Sequence, residues 1–570
     1  MSAAQAASLR EAALAAEKAG QAGEAARLFD AALAAAPADA RLLNSAGGCA
    51  LRCGDALRAE ALYRRAHDLA PGEVEFAINL AIVLTRLERA HEAVSLLHAR
   101  EAEGGGQARY WSTRAASERD AGDLTAAAAS YERCLALDPV HARGLHGRAR
   151  VALERGERDA PARYEAALRA LPGDGSLWLG RAMALEAAGQ YEEARRIAQA
   201  LSVQMPAWLD AHRYLAELRL NAGEGAGEGE EAGHRGAFAD HYGPATHALP
   251  ENVELVQAWC SALSGADRFA EAAQVAQEAL ERRPEDPRLM GCAAIYASAA
   301  GDLERADALF AQVPAGARSP LEEGRHRLRR GDFERAELLL SQALEREPDS
   351  VPAWALRSIA WRKLGDKREA WLHGQEGLVR RLPLALSDAR WGEIVATLDA
   401  LHDESIHPVG QSVRGGSQTR GSLFARTEPP LRDLHEAIMA VIEQYRKGLP
   451  PRDGDHPLLR HREDALAITG SWSVRLGPGG RHTVHIHPRG VLSSALYVSL
   501  PPLADDAPGA GCLELGGAPP EMGIDLAPST VITPLERHLA LFPSTLFHGT
   551  RPFASGRRMT VAFDVTAHTR

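Results

Sequence analysis

At 570 residues the chain exceeds a single hydrophobic core and implies either three or four domains or a repeat array joined to a domain. With 45% hydrophobic and 25% charged residues it has the composition of a globular protein, which excludes a fibrous or wholly disordered chain. The formal net charge of −11 is carried upstream, because residues 401–570 balance 17 Lys+Arg against 17 Asp+Glu; an acidic array lacks the basic face that nucleic acid needs, so none is expected as the main partner. The six cysteines are scattered and imply no disulfide framework, as in a reducing compartment. No basic leader precedes an apolar run, and no segment reaches 18 apolar residues. The expectation is a cytoplasmic protein without a membrane partner or span.

From about residue 8 to 380 the chain is rich in Ala, Leu, Glu and Arg, with apolar residues at helical spacing. Prolines recur at 37, 71, 139, 172, 206, 250, 284 and 348, a beat near 34 that skips one repeat twice. Glycines keep the same beat at 20, 54, 122, 156 and 189, then at 301, 331 and 365. Several open one phrase, as in Gly301-Asp-Leu-Glu-Arg-Ala and Gly331-Asp-Phe-Glu-Arg-Ala. The array resembles the tetratricopeptide repeat, which implies a solenoid of helical hairpins with an extended surface for a peptide or protein partner. One interval of 44 contains the run Gly223–Glu231, read as an exposed loop inserted at a repeat.

Periodicity fades after Leu378, which places the solenoid at 1–380 and a second domain at 381–570. Residues 383–405 and Leu431–Lys447 read as helices, and Gln411–Thr419 as turn-rich chain. Beyond Ala467 short apolar runs alternate with Gly and Pro: Thr469–Leu476, Val491–Leu500, Cys512–Leu515, Ser529–Thr533, His538–Phe542 and Met559–Val565. This is all-β spacing, fit for a sandwich or jelly roll.

The chemistry concentrates there, with 11 of the 22 histidines in residues 401–570. His485 and His487 are two apart, so on a strand both face one way. His548 joins them only where the chain returns, as a jelly roll does. Imidazole is the commonest side-chain metal ligand, and two near histidines with one distant ligand leave positions open for substrate. His482, of opposite parity beside Gly479-Gly480, reads as a loop residue. His402, His435, His456, His461, His538 and His568 read as structural or surface groups, and Cys512 as a core residue.

Residues 385–570 resemble the 2-oxoglutarate/Fe(II) oxygenase domain that follows tetratricopeptide repeats in bacterial proteins. They are similar to prolyl hydroxylases and more distantly to aspartyl/asparaginyl β-hydroxylases. The resemblance rests on Ser412–Thr419, His485-Ile-His-Pro488, Ala495–Pro501, Leu541-Phe-Pro-Ser544, Phe547-His-Gly-Thr550 and Arg558–Asp564. It implies Fe(II) as the metal, 2-oxoglutarate and O₂ as co-substrates, and His485 and His548 as ligands. His487 stands where the family's His-x-Asp pair has its carboxylate. Either it is a third imidazole ligand, or it lies behind the metal and two histidines bind. Arg558 takes the place of the arginine that holds the distal carboxylate of 2-oxoglutarate. Thr560 shares its strand face, and Tyr497 sits where such enzymes place a co-substrate-facing aromatic, with core packing as its other reading. The implied activity is hydroxylation of a peptide or protein presented by the repeats. Two alternatives stay open: a scaffold whose metal-binding jelly roll has lost turnover, and a cupin-like metal enzyme without 2-oxoglutarate.

Overall fold

The computed structural model describes residues 3–224, 237–403, 413–501 and 509–568. Most of the glycine-rich run at 223–231 lies outside these residues, as do Gln411 and Ser412. The chain divides into two compact units, Met1–Ala184 and Leu185–Arg570.

The glycine beat is a left-handed turn between helices. Gly20, Gly54, Gly122, Gly156, Gly189, Gly301, Gly331 and Gly365 all have φ between 64° and 87°, a region that costs glycine little. Where the beat skips, Glu88 and Asp267 hold φ of 60° instead, so the turn persists without its usual residue. An aspartate often follows and caps the next helix. Asp55 accepts from the Arg58 amide at 3.0 Å and Asp123 from the Ala126 amide at 2.8 Å. The proline beat ends the second helix of a hairpin, and its free carbonyl finds a side chain six residues on. The Trp178 indole donates to Pro172 at 2.9 Å, and Trp354 to Pro348 at 3.0 Å. In the first unit, helices from Ala3–Lys18 to Ala160–Ala170 follow this plan around buried Phe29, Leu43, Tyr63, Leu84 and Tyr110.

The second unit continues the hairpins through Val351–Leu364 and Arg368–His373, then adds strands. These are β1 (Arg380–Pro383), β2 (Val413–Gln418), β3 (Ala465–His482), β4 (Leu492–Ser499), β5 (Leu513–Leu515), β6 (Thr530–Ile532), β7 (His538–Pro543), β8 (His548–Thr550) and β9 (Arg558–His568). A six-stranded sheet runs β1-β7-β4-β9-β3-β2, and a three-stranded sheet runs β6-β5-β8; every pairing is antiparallel. No closed barrel forms among the described residues. The six expected strands are present. The sequence reading passed over β1, β2 and β8, which are short or rich in Arg and Gly. All three are sheet edges, β1 and β2 of the large sheet and β8 of the small one, where such residues are tolerated. The stretch read as turn-rich is β2, bulged between Arg414 and Gly416, and His482 ends β3 rather than lying in a loop.

The large sheet has two unlike faces. Met559, Val561, Phe563 and Val565 of β9, with Leu492 and Leu496 of β4, pack on helices Asp388–Asp403 and Pro429–Lys447. The alternate residues point the other way, as the two-residue period requires. The last repeats meet the β region in one apolar cluster, in which Leu328, Leu340 and Ile359 join Val484, Ile486, Met522 and Phe547. Ion pairs tie earlier hairpins of this unit to β2 and the chain after it: Arg414 with Asp267 at 2.6 Å, and Arg420 with Glu186 at 2.5 Å and Glu217 at 3.2 Å.

Candidate metal centre

Val484, Ile486 and Phe547 anchor their segments in that apolar cluster, and the residue after each turns away from it. These are His485, His487 and His548. His485 and His548 exchange both backbone hydrogen bonds, at 3.0 and 2.9 Å, which sets their side chains beside each other. Gly549 lets β8 come this close. A Cβ there would lie 3.2 Å from the His482 carbonyl and from Val484. The three rings lie 4.3 to 5.1 Å apart between centroids, and one ligand nitrogen from each lies within 4.8 Å of the others.

Each ring is oriented through Nδ1. His485 donates to the Thr483 carbonyl at 2.7 Å and His548 to the Leu546 carbonyl at 3.0 Å, while His487 donates to the Asp564 carboxylate. Those acceptors cannot donate, so Nδ1 carries the proton and Nε2 the lone pair. The Nε2 atoms of His485 and His487 face each other at 3.1 Å. Burial holds His485 down to about 4 and His548 well below the ordinary imidazole value, which keeps both rings neutral and able to bind a metal, but it does not relieve the confrontation. A cation bound by all three does. The donor set fits a borderline metal such as Fe(II) or Zn(II).

Arg558, Thr560 and Asp564 share one face of β9 by their two-residue spacing. Arg558 is 2% exposed, and no acidic residue pairs with it among the described residues. Its Nη1 donates to Thr550 Oγ1 at 3.2 Å, its guanidinium lies 5.5 Å from the Tyr497 ring centre, and its Nε has no partner. Burial lowers its pKa from the ordinary arginine value. Thr560, 4% exposed, sits in register with Tyr497 of β4 and Val474 of β3. The Tyr497 hydroxyl is buried without a partner, and burial pushes it up to about 12. A buried unpaired guanidinium costs free energy unless an anion meets it, and a carboxylate matches its fork.

The sequence reading missed Asp564, Thr550 and Trp472, whose ring lies 5.3 Å from that of His487. Strand alternation from Arg558 would have found Asp564. Of the histidines read as structural, His402 is buried between Ser417 and Ser473, His456 bonds the Leu372 carbonyl, and His461 meets Asp464. The His568 side chain lies outside the described residues. Cys512 is buried in the β region.

Fold and site together define a helical repeat protein that ends in an antiparallel β region with a three-histidine cluster suited to a metal. Comparison gives these parts family names. The family model described as "Putative 2OG-Fe(II) oxygenase" matches residues 470–564, and the tetratricopeptide repeat model matches 10–74, 158–207 and 321–381. The chain thus carries tetratricopeptide repeats and, at its C-terminal end, a domain of that oxygenase family. A tetratricopeptide repeat protein from Parabacteroides merdae is 17% identical, covers 45% of this chain and 98% of its own, and has a TM-score of 0.36. The type IV pilus biogenesis factor PilW is also 17% identical, over 35% of this chain and 94% of its own, with a TM-score of 0.33. Protein FlbA of Caulobacter vibrioides is 31% identical over 158 residues; the match spans 28% of this chain and about a quarter, 26%, of FlbA. No helix among the described residues is long and apolar enough to cross a membrane.

Proposed function

We propose that the chain is an Fe(II)- and 2-oxoglutarate-dependent dioxygenase that hydroxylates a peptide or protein presented by its repeats. The observation that carries this reading is the conjunction of three convergent histidine nitrogens with a buried Arg558 that has no acidic partner among the described residues and bonds Thr550, two residues from His548. In this reading the two sheets are the large and small sheets of a jelly roll at 381–570, and the repeats occupy 1–380. The metal ligands are His485, His487 and His548. Bound together, Fe(II), 2-oxoglutarate and O₂ supply oxidative hydroxylation of a C–H bond, with release of succinate and CO₂.

The chain's own residues do the positioning. The three Nδ1–H bonds aim the imidazoles before a metal arrives, so little order is lost on binding. Arg558 grips one carboxylate of the co-substrate through its planar fork, with the Thr560 and Tyr497 hydroxyls on the same face. The apolar cluster of Val484, Ile486 and Phe547 lies on the opposite side from the imidazoles and holds the ligand-bearing segments in place. Six free cysteines fit a cytoplasmic setting.

Succinate release from 2-oxoglutarate, measured with and without added Fe(II), tests the reading. Turnover should depend on iron and vanish in His485→Ala and His548→Ala. A chain that binds iron but releases no succinate would instead be a repeat scaffold with a silent metal site. Full activity in His487→Ala would leave a two-histidine site.

A further inference from the structure

A metal held by three neutral imidazoles keeps its full positive charge, whereas the facial triad of non-haem iron enzymes includes a carboxylate. This site has a carboxylate one bond further out. Asp564 accepts the Nδ1–H of His487, and among the described residues no lysine or arginine pairs with it. Its negative charge is therefore left to the imidazole. The surroundings build this contact. β9 brings Asp564 to the site face, in register with Gly470 of β3. At that point β3 bulges, and Thr469 has no partner across the ladder. Trp472, on the same face of β3, lies against the His487 ring. His487 is thus the one ligand of the three whose Nδ1–H meets a charge; the other two meet backbone carbonyls.

We infer that Asp564 is a positioning residue that acts through His487. It fixes the ring with Nε2 toward the metal and returns, through the imidazole, the negative charge that a directly bound carboxylate would supply. The inference rests on the three-histidine reading and adds to it a fourth residue. Hydrogen-bonded carboxylates behind histidine ligands raise ligand basicity, and their loss costs about 10–100-fold in metal affinity.

Co(II), which can be followed by its visible absorption, is the probe. The metal-free full-length chain is titrated with Co(II) against a competing chelator. Asp564→Ala should weaken binding about 10–100-fold and shift the Co(II) spectrum. Asp564→Asn keeps an acceptor for Nδ1–H but not the charge, so it should fall between, with an unchanged metal-free melting temperature. In a His487→Ala background, Asp564→Ala should cost nothing more, because a residue that acts through another has no effect once that other is gone. Equal loss in both backgrounds would overturn the inference, as would wild-type Co(II) affinity in both Asp564 variants. If the unaltered chain takes up no Co(II), the three-histidine reading fails and this inference with it. Binding by the unaltered chain and by both variants alike sinks this inference alone.

Discussion

The two faces of the six-stranded sheet are made by the same strands and do opposite work. On β9, Met559, Val561, Phe563 and Val565 meet two helices and bury only hydrocarbon, while Arg558, Thr560 and Asp564 between them carry charge and hydroxyls. One face stabilises the fold; the other accepts an unpaired guanidinium and three confronting imidazoles, which a fold built for stability alone would not keep. The lesson is how little separates them. A slip of one residue in the register of β9 would exchange the faces entirely.

That division is open to attack from both sides. The largest expected effect is on the apolar face. Phe563→Ala removes a fully buried ring and should destabilise by about 3–5 kcal/mol, seen as a lower urea midpoint, with Co(II) affinity unchanged in the folded protein. A matching loss of metal affinity would mean that the faces are not separable.

The apolar face also holds a polar exception. His402 bonds Ser417 and Ser473 at 2.9 Å each, and burial brings it from 6.5 to about 4. Between those values the unfolded chain binds a proton that the folded chain does not, so stability is full above 6.5 and falls as pH drops toward about 4. The contribution is on the order of 3 kcal/mol. His402→Asn should flatten the slope of unfolding free energy across this window. A slope equal to that of the unaltered chain would show that His402 does not titrate this way.

On the site face, Arg558→Ala should raise the 2-oxoglutarate requirement by about thirty-fold or more, since one partner of a buried charged pair is lost. It should lower the stability of the ligand-free protein little, because among the described residues the guanidinium has no ion-pair partner to lose, only the bond to Thr550. Titrating 2-oxoglutarate at fixed iron, beside a urea melt, measures both. Arg558→Lys should recover part of the loss, because an ammonium cannot form the fork.

The smallest effect belongs to the neighbouring arginine. Arg557 is exposed and pairs with Asp399 at 2.8 Å, a surface contact worth at most about 1 kcal/mol. Arg557→Ala should leave the 2-oxoglutarate titration unchanged. If it were the damaging change, the assignment of faces along β9 would be off by one.

Much of this protein was legible in its sequence. The 34-residue beat of Gly and Pro determined the hairpins, because a left-handed turn and a helix stop are local events that one residue type serves best. Alternation grouped Arg558 with Thr560 on one face of β9, whereas His485 and His487, expected on a strand, lie between β3 and β4, where only His485 makes a β-bridge. The edge strands β1 and β2 escaped because an edge needs no apolar alternation to pair. Only the tertiary structure decided the rest. It brought His548 onto His485 across a backbone bridge, set Asp564 behind His487 from a strand 77 residues away, and left Arg558 without an acid among the described residues. It also gave the last repeats a share in the apolar support behind the candidate metal centre, through Leu328, Leu340 and Ile359. In the sequence these leucines and isoleucines look like those of any earlier repeat. What a buried apolar side chain touches is set by volume and packing across the whole unit, and no local pattern records it.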